Sequence, residues 1–400
     1  MSRILFAWEL GDRSGHVAAL LPLAREMTAR GHEFFFALRD LATVSALARH
    51  QSGTFVQAPV WMRGTAGLPP AASYAESLLR FGYLDPGGLA GLYRGWRALY
   101  DAFAPDLLIV DHSPTALLAA RGTLLKRAAY STGFGIPPRT QPLPAYRWWE
   151  TAPQQRLEDV ERRVIASINP MLTEFGAEPL GSLAEILSTD AEVIYQFPEL
   201  DAYPRAENTV HVGSISDPGW GLTPRWPAAG EHRVFAYLYP DDPSFEVLLG
   251  ALAAAKVAAL VYAPGAPRAL TRRHESERIA ISTEPFEIGQ VVREVDIAVC
   301  HGGAGITGAM LGAGVPMLIV PTQMEQLMIG RRVQALGAGI VLSGELGVPA
   351  ARKLIERLLR EPAFRTAARA FATRHVAHDQ ATVVRGIADR FEALIAEKRA

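Results

Sequence analysis

Short apolar runs alternate with longer amphipathic segments along most of the chain, and this alternation restricts the fold more than any other feature. It is typical of βαβ units. The runs are almost continuously apolar, as expected for parallel strands that helices cover on both faces. The predicted strands are Ile4–Ala7, Phe34–Leu38, Leu107–Val110 and Val193–Gln196 in the first half, and Val234–Leu238, Ala258–Tyr262, Ile297–Cys300, Met317–Val320 and Ile340–Leu342 in the second. The sequence therefore predicts an α/β protein with parallel sheets.

A stretch dense in proline and glycine separates the two series of strands. It runs from Pro198 to Glu231. A chain of 400 residues also has the length expected of two domains. We predict an N-terminal domain over residues 1–215, a linker over 216–231 and a C-terminal domain over 232–381. The alternative is one long surface loop within a single domain.

Composition excludes several classes of function. The formal net charge is −1, without the basic excess that a dedicated nucleic-acid binder needs. The single cysteine, Cys300, excludes an intramolecular disulfide and a cysteine-based zinc site. The sequence shows no apolar run of transmembrane length, and Glu9 interrupts the apolar start, so no signal peptide is expected. We expect a cytoplasmic protein.

The segment 301–308, His-Gly-Gly-Ala-Gly-Ile-Thr-Gly, follows a predicted strand and opens a helix. Glycines allow a tight turn, and the free amides at a helix N-terminus favour an anion such as phosphate. A turn without a ligand is the plain alternative. Residues 303–308 also match the dinucleotide pattern G-x-G-x-x-G, but the next strand ends in Pro321-Thr322-Gln323, without the acidic residue that holds a ribose. A nicotinamide-dependent oxidoreductase is therefore the weaker reading.

Several motifs in fixed order resemble those of family 1 glycosyltransferases, particularly the bacterial members. The motifs are His301–Gly305, Gly314-Val315-Pro316, Pro321 and Glu325-Gln326, with Ser14–Val17, Arg30–Glu33 and Pro105–Asp111 in the N-terminal half. The resemblance implies a GT-B fold, in which two Rossmann-like domains face each other across a cleft. It implies an acceptor-binding first domain, a nucleotide-sugar-binding second domain, and a last helix, about 382–400, that packs back on the first.

The resemblance also implies the residues that bind the donor. The diphosphate is expected at His301, Gly303, Ala304 and Gly305, and Glu325 and Gln326 are expected at hydroxyls of the sugar. Ile306 replaces the family's first threonine after the glycines, so Thr307 is the candidate substitute. Thr283 stands where plant members have a base-stacking tryptophan, so Phe286 is expected to offer a ring or backbone contacts to the base. The donor is expected to be a sugar on uridine or thymidine diphosphate.

His16 and Asp111 each follow a predicted strand, and ligands bind at the carboxyl ends of strands in open parallel sheets. A histidine is a suitable base near neutral pH, and a carboxylate on its other ring nitrogen fixes the tautomer. The catalytic dyad of the family falls on these two positions. On the residues alone, a polar helix start and a helix N-cap are equally good readings. Asp12 is an alternative base, and His112 is a less favoured partner.

The N-terminal half is rich in aromatic residues beside proline or glycine, which indicates a pocket for an apolar or aromatic acceptor. The candidates are Trp61, Met62, Phe81 and Phe134. No Asp-x-Asp motif occurs, so we expect neither a metal nor a cofactor beyond the nucleotide sugar. We predict an inverting glycosyltransferase, monomeric or homodimeric, that acts on a lipophilic or aromatic small molecule. The rival is a catalytically silent GT-B protein that binds a nucleotide or a partner protein.

Overall fold

The computed structural model describes residues 1–11, 15–42, 53–215, 221–342, 344 and 347–397. The chain divides into two compact units. The first contains Met1–Gln196, Asp201–Ile215 and Asp379–Ala400, and the second contains Phe197–Leu200 and Ser216–His378. No helix among the described residues combines the length and apolar character needed to cross a bilayer.

The first unit is built on a six-stranded sheet in which every pair of neighbouring strands is parallel. Its strands are β1 (Arg3–Trp8), β2 (Glu33–Leu38), β3 (Thr54–Gln57), β4 (Leu107–Asp111), β5 (Lys126–Ser131) and β6 (Ala191–Ile194). Their order, β3-β2-β1-β4-β5-β6, is that of a Rossmann fold. Strands β3 and β5 were not predicted from the sequence, because β3 is a half-exposed edge strand and β5 begins with two charged residues.

The helices of the first unit cover this sheet. They are α1 (Gly15–Ala29), α2 (Tyr74–Leu78), α3 (Pro86–Phe103), α4 (Pro114–Ala120), α5 (Gln154–Glu174) and the C-terminal α13 (Gln380–Glu397). Helix α13 packs beside α1, with Phe391 fully buried in the core that β1 and α1 share. Arg30 donates to Asp389 at 2.6 Å and to Glu392 at 2.7 Å, so charged contacts also fasten α13 to the end of α1.

The second unit repeats this architecture. Its parallel strands are β7 (Arg233–Tyr237), β8 (Ala258–Tyr262), β9 (Ile279–Ser282), β10 (Ile297–Cys300), β11 (Met317–Ile319) and β12 (Gly339–Val341), in the order β12-β11-β10-β7-β8-β9. Strand β9 was not predicted from the sequence. Its helices are α6 (Phe245–Ala254), α7 (Arg268–His274), α8 (Ile288–Glu294), α9 (Ala304–Gly312), α10 (Met324–Ala335), α11 (Val348–Arg360) and α12 (Pro362–Arg374).

Alternate strand residues of the second unit enter different cores. Val234 and Ala236 belong to one apolar cluster and Phe235 to another. This is the pattern of a sheet with both faces buried, since successive side chains of a strand point to opposite faces. The predicted α/β fold with two Rossmann-like sheets is therefore confirmed.

Candidate active site

His16 and Asp111 meet at the carboxyl edge of the first sheet. Strand β1 ends at Trp8, which is in register with Asp111 at the end of the neighbouring β4. Helix α1 begins at Gly15, so His16 lies in its first turn. The His16 Nδ1 atom is 2.9 Å from Oδ2 of Asp111. The structure thus brings together the two residues predicted as a pair.

Asp111 is fully buried and accepts hydrogen bonds from two hydroxyl groups besides the imidazole. Tyr195 donates at 2.8 Å to Oδ2, and Ser131 donates to Oδ1. Burial opposes ionisation of this carboxyl, but the charge of His16 and the hydrogen bonds outweigh burial and lower its pKa below the ordinary value. A carboxylate here holds a proton on Nδ1 of His16 and leaves Nε2 as the basic atom.

Ser131 and Tyr195 were not among the predicted site residues. Ser131 ends β5, and Tyr195 follows the last residue of β6, so both lie at the same sheet edge as Asp111. If β5 had been predicted from the sequence, Ser131 would have been expected near Asp111, because the carboxyl ends of parallel strands lie at one edge of the sheet.

Trp8 at the end of β1 and Gly11 in the following loop restrict the position of the His16 ring. The ring stacks on Trp8, with centroids 5.3 Å apart and planes at 23°. Gly11 has a φ of +92°, and a Cβ atom built on it would overlap Nε2 of His16. A glycine is therefore required here on both conformational and steric grounds. Asp12, the alternative base, lies outside the described residues.

Phe134 contacts the surroundings of this pair. Its ring meets His112 edge-on, with centroids 5.7 Å apart, and stacks on Tyr146 at 5.0 Å. The His112 ring lies 6.4 Å from that of His16. The ring of His112 thus lies near both Phe134 and the candidate base His16.

The other predicted acceptor residues have different surroundings. Trp61 packs over Gly88, and Phe81 lies beneath the guanidinium of Arg39, 5.8 Å from its ring centroid. The side chain of Met62 is 86% exposed. No contact described here brings these three residues to His16, so their acceptor role stays a prediction.

Glu9 is a buried carboxyl group that the sequence analysis did not assign to the site. It follows the last residue of β1 and accepts hydrogen bonds from the backbone N–H of Thr115, at 2.8 Å, and from the Thr115 hydroxyl. Burial raises its pKa to about 7, against the smaller opposing effects of these bonds. Glu9 therefore titrates near neutral pH.

The glycine turn of the second unit leaves the start of α9 open. Gly303 directly precedes the helix. A Cβ atom built on Gly303 would meet only the side chain of Ile306, at 4.0 Å, and one built on Gly305 would have open space around it. Gly302 has a φ of +89°, and a Cβ there would lie 2.8 Å from the side chain of Ile319. The first amides of a helix have no intrahelical partners, so this turn can bind an anion through its backbone.

His301 is held by backbone groups on both of its ring nitrogens. Nδ1 is 2.8 Å from the carbonyl oxygen of Val320, and Nε2 accepts from the N–H of Tyr239 at 3.1 Å. These partners require the neutral tautomer with the proton on Nδ1. His301 thus ties the loops after β7, β10 and β11 together. Its predicted direct contact with a diphosphate is not supported by this arrangement.

Thr307 points into the protein. Its side chain is fully buried, and its hydroxyl has no hydrogen-bond partner in the described part of the chain. Ile306, one residue earlier, is partly exposed. Neighbouring helix residues differ in direction by about 100°. The expectation that Thr307 replaces the missing hydroxyl at position 306 is therefore not supported.

Glu325 and Gln326 lie in the first turn of α10. The Gln326 Oε1 atom accepts from the N–H of Thr322 at 2.8 Å and from its hydroxyl at 3.0 Å. Because a backbone N–H can only donate, the amide orientation is determined, and the NH₂ group remains as the donor. Glu325 is partly exposed.

Phe286 presents backbone rather than a ring. Its side chain is buried and meets Phe235 edge-on, with centroids 6.4 Å apart. Leu222 forms a parallel bridge with Phe286. The N–H of Leu222 donates to the carbonyl oxygen of Pro285, and the carbonyl oxygen of Leu222 accepts from the N–H of Glu287. In such a bridge the opposite residue does not use its own N–H and C=O, so those of Phe286 face away from Leu222.

Three tyrosines that were not predicted as site residues lie at the strand ends near the glycine turn. Tyr237 ends β7 beside Cys300 of β10, and its ring lies 4.7 Å from that of Tyr262 at the end of β8. Tyr239 stacks on His301, with centroids 4.6 Å apart and planes at 3°. Their positions at strand ends are visible in the sequence, but their grouping depends on the strand order.

Comparisons with known proteins agree with the resemblance. Residues 282–393 match the family described as erythromycin biosynthesis protein CIII-like, C-terminal domain. A sterol 3-beta-glucosyltransferase of Aspergillus clavatus is 51% identical over 49 residues, which is 12% of this chain and 4% of that protein. This chain thus spans only a small part of the length of such relatives. The 4'-demethylrebeccamycin synthase of Lentzea aerocolonigenes is 24% identical over 432 residues, covering 94% of this chain and 96% of that protein.

A solved structure supplies the fold comparison. The spinosyn rhamnosyltransferase SpnG, in complex with spinosyn aglycone, superposes with a TM-score of 0.68 at 21% identity. The match covers 97% of this chain and all of that one. The same protein has also been solved with thymidine diphosphate. The predicted GT-B fold is therefore confirmed.

Proposed function

We propose that this chain, which has the GT-B fold and whose residues 282–393 match the CIII-like C-terminal domain family, is an inverting glycosyltransferase. It moves a sugar from a thymidine or uridine diphosphate sugar to a hydroxyl of a lipophilic or aromatic small molecule. The observation that carries this proposal is the His16–Asp111 pair at the sheet edge. The relatives named for rebeccamycin and spinosyn chemistry support a natural product as acceptor.

In the proposed reaction, Nε2 of His16 takes the proton of the acceptor hydroxyl. The acceptor oxygen forms a bond to the anomeric carbon while the bond from that carbon to the diphosphate oxygen breaks on the opposite face. The configuration inverts, and the electron pair leaves with the nucleotide diphosphate. The proton stays on His16, whose imidazolium is stabilised by the carboxylate of Asp111.

The second unit supplies the proposed donor site. The side-chain positions at Gly303 and Gly305 adjoin open space. The backbone amides of Gly303, Ala304 and Gly305 are the proposed donors to the diphosphate, whose growing negative charge they would stabilise. We propose that no metal is required for this step. The NH₂ group of Gln326 and the carboxylate of Glu325 are the proposed contacts to the sugar. The backbone groups of Phe286, which face away from Leu222, are the proposed contact to the base.

One observation favours a catalytically silent nucleotide-binding protein as the second candidate. The hydroxyl that a threonine would place at position 306 is missing, and that of Thr307 is buried. A protein of this kind binds a nucleotide without turning over a sugar donor. Turnover separates the two candidates.

The test measures transfer from thymidine diphosphate glucose and uridine diphosphate glucose to a panel of alcohols and phenols. His16→Ala is expected to lower turnover on weakly acidic alcohols by about 10²- to 10⁴-fold, the usual effect of a general base. Asp111→Asn should act similarly, and the double variant should be little worse than either, because the two residues act as a unit. Thymidine diphosphate affinity, measured by calorimetry, should be unchanged in all three.

A second histidine–carboxylate pair provides the control. His274 lies 3.0 Å from Glu246 in the second unit, and His274→Ala removes that pair without touching His16. This variant should turn over at the wild-type rate. If His16→Ala does so too, another group is the base. A wild-type protein that binds thymidine diphosphate but transfers no sugar to any acceptor supports the silent candidate.

A further inference from the structure

A short piece of the predicted linker is attached to the loop that follows β9. The N–H of Leu222 donates to the carbonyl oxygen of Pro285 at 2.8 Å, and the N–H of Glu287 donates to the carbonyl oxygen of Leu222 at 3.0 Å. Leu222 is therefore bonded to this loop on both sides of Phe286. Both segments belong to the second unit. We call residues 283–287 the base loop, since Phe286 within it is the proposed contact to the nucleobase.

Gly221 allows the two segments to approach this closely. Its φ is +125°, and a Cβ atom built on it would lie 2.7 Å from the carbonyl carbon of Phe286, 2.8 Å from the nitrogen of Glu287 and 2.9 Å from the carbonyl oxygen of Pro285. All three atoms belong to the backbone of the base loop, so no side-chain rotation can relieve the overlap. A side chain at position 221 must displace the loop by roughly 0.5 Å or more to reach ordinary van der Waals contact.

This contact depends on the backbone and not on burial of the Leu222 side chain. That side chain is large and apolar, but the residue is 42% exposed. Trp226, a few residues further on, is partly buried and packs against the apolar cluster that contains the side chain of Phe286. The segment 221–226 is therefore bonded to the backbone of the base loop at one end and packed against the core beneath that loop at the other.

The orientation of Phe286 connects this contact with the choice of base. Leu222 occupies one side of the base loop, and the N–H and C=O groups of Phe286 face the other side. One residue thus presents a donor and an acceptor next to each other. Uracil and thymine offer the complementary pair, an N3–H group and a neighbouring carbonyl oxygen. Cytosine in the same pose places the acceptor N3 against the backbone carbonyl, and its position 4 carries an amino donor in place of the carbonyl oxygen.

We propose that Gly221 and Leu222 are positioning residues that align the base loop with the nucleobase, and that this alignment selects uracil and thymine over cytosine. The inference deepens the proposed function and rests on it for the base contact at Phe286. Hydrogen bonds weaken steeply with misalignment, so displacement of the loop by a side chain at position 221 weakens the selection of the base. Binding of the diphosphate, whose proposed site is the glycine turn after β10, does not depend on this contact.

The test compares uridine diphosphate with cytidine diphosphate by titration calorimetry. The two nucleotides share the ribose and the diphosphate and differ in the hydrogen-bonding edge of the base, so the ratio of their affinities reports on the alignment of the base. The wild-type protein should bind uridine diphosphate about tenfold or more tightly than cytidine diphosphate. Gly221→Ala should weaken uridine diphosphate binding and bring the two affinities close together. Leu222→Pro removes the N–H that donates to Pro285 and should have the same effect without a new side chain at position 221.

Two control variants lie in the same stretch of sequence. Gly230 has a φ of +126°, and a Cβ atom built on it would lie 2.4 Å from the nitrogen of Ala258. Ala258 begins β8, so this overlap is at the opposite edge of the sheet from the base loop, which follows the end of β9. Gly230→Ala therefore introduces similar strain away from the base loop, and Leu222→Ala keeps both backbone hydrogen bonds. Both variants should retain the wild-type ratio of affinities.

An unchanged ratio in Gly221→Ala or in Leu222→Pro would overturn the inference. An equal loss of preference in Gly230→Ala, or a wild-type protein that binds both nucleotides equally well, would do so too. A wild-type protein that binds neither nucleotide would overturn the inference together with the proposed donor site. Absence of sugar transfer, with the expected ratios intact, counts against the proposed transferase alone, since a silent nucleotide-binding protein shows the same selection of the base.

Discussion

Gly11→Ala tests how closely the loop after β1 positions the candidate base. The new methyl group would overlap Nε2 of His16, and it would stand 3.2 Å from Cε1 and 3.4 Å from Cδ2 of the same ring. The ring cannot simply turn away, because Trp8 stacks on it and Asp111 holds Nδ1 at 2.9 Å. To recover ordinary van der Waals contact, the imidazole must move by roughly 1 Å.

A displacement of that size at a catalytic group costs about 10²-fold in rate. The Gly11→Ala variant should lose less free energy of unfolding than transition-state stabilisation. An alanine at φ +92° costs about 1–2 kcal/mol, which corresponds to a fall in Tm of a few degrees in a unit of this size. The assay is turnover with a thymidine or uridine diphosphate sugar and an aliphatic alcohol, at a temperature well below both melting points. Thymidine diphosphate affinity should not change, because the proposed donor residues lie in the second unit.

Gly15→Ala is the matched control, since Gly15 begins the helix that carries His16 and a Cβ there meets no atom of the described residues within 4 Å. It should leave turnover at the wild-type level. Near wild-type turnover in folded Gly11→Ala would refute the argument that this glycine sets the position of Nε2. Equal losses in both variants would attribute the effect to stiffening of the loop.

Three further predictions concern the glycine turn and the buried carboxyl. Gly303→Val should abolish thymidine diphosphate binding in calorimetry without unfolding the protein, since φ is −60° and the site is open, whereas Gly312→Ala at the other end of α9 should bind normally. Ile306→Thr should bind thymidine diphosphate equally or more tightly, and a clear loss would contradict a phosphate site at this turn. Glu9 has a pKa of about 7 against 4.5 ordinarily, so the folded state binds more protons between these values, and stability falls as pH rises through that window. At about 1.4 kcal/mol per unit of pKa, this shift lowers the free energy of unfolding by about 3 kcal/mol between pH 4.5 and pH 8. Glu9→Gln should remove this decrease, as measured by urea unfolding across that pH range. Equal pH dependence of stability in the variant and the wild type would contradict the prediction.

The sequence was sufficient for the fold class and for the position of the candidate pair. Buried parallel strands need apolar side chains on both faces, so β1, β4, β7 and β10 could be read directly from their apolar runs. The edge and charged strands β3, β5 and β9 carry a weaker signal, because their partly exposed faces do not require apolar residues. His16 and Asp111 could be identified because strand ends of an open parallel sheet have a defined place.

The tertiary structure alone decided which side chains share a site and which way each one points. Ser131 and Tyr195 reach Asp111 only because β5 and β6 follow β4 in the sheet. The burial of Thr307 depends on how α9 packs against its neighbours, which a motif does not encode. His112 has a left-handed backbone, and its buried Nε2 has no hydrogen-bond partner among the described residues. These arise from contacts between segments far apart in the chain, and local sequence patterns carry no record of such contacts.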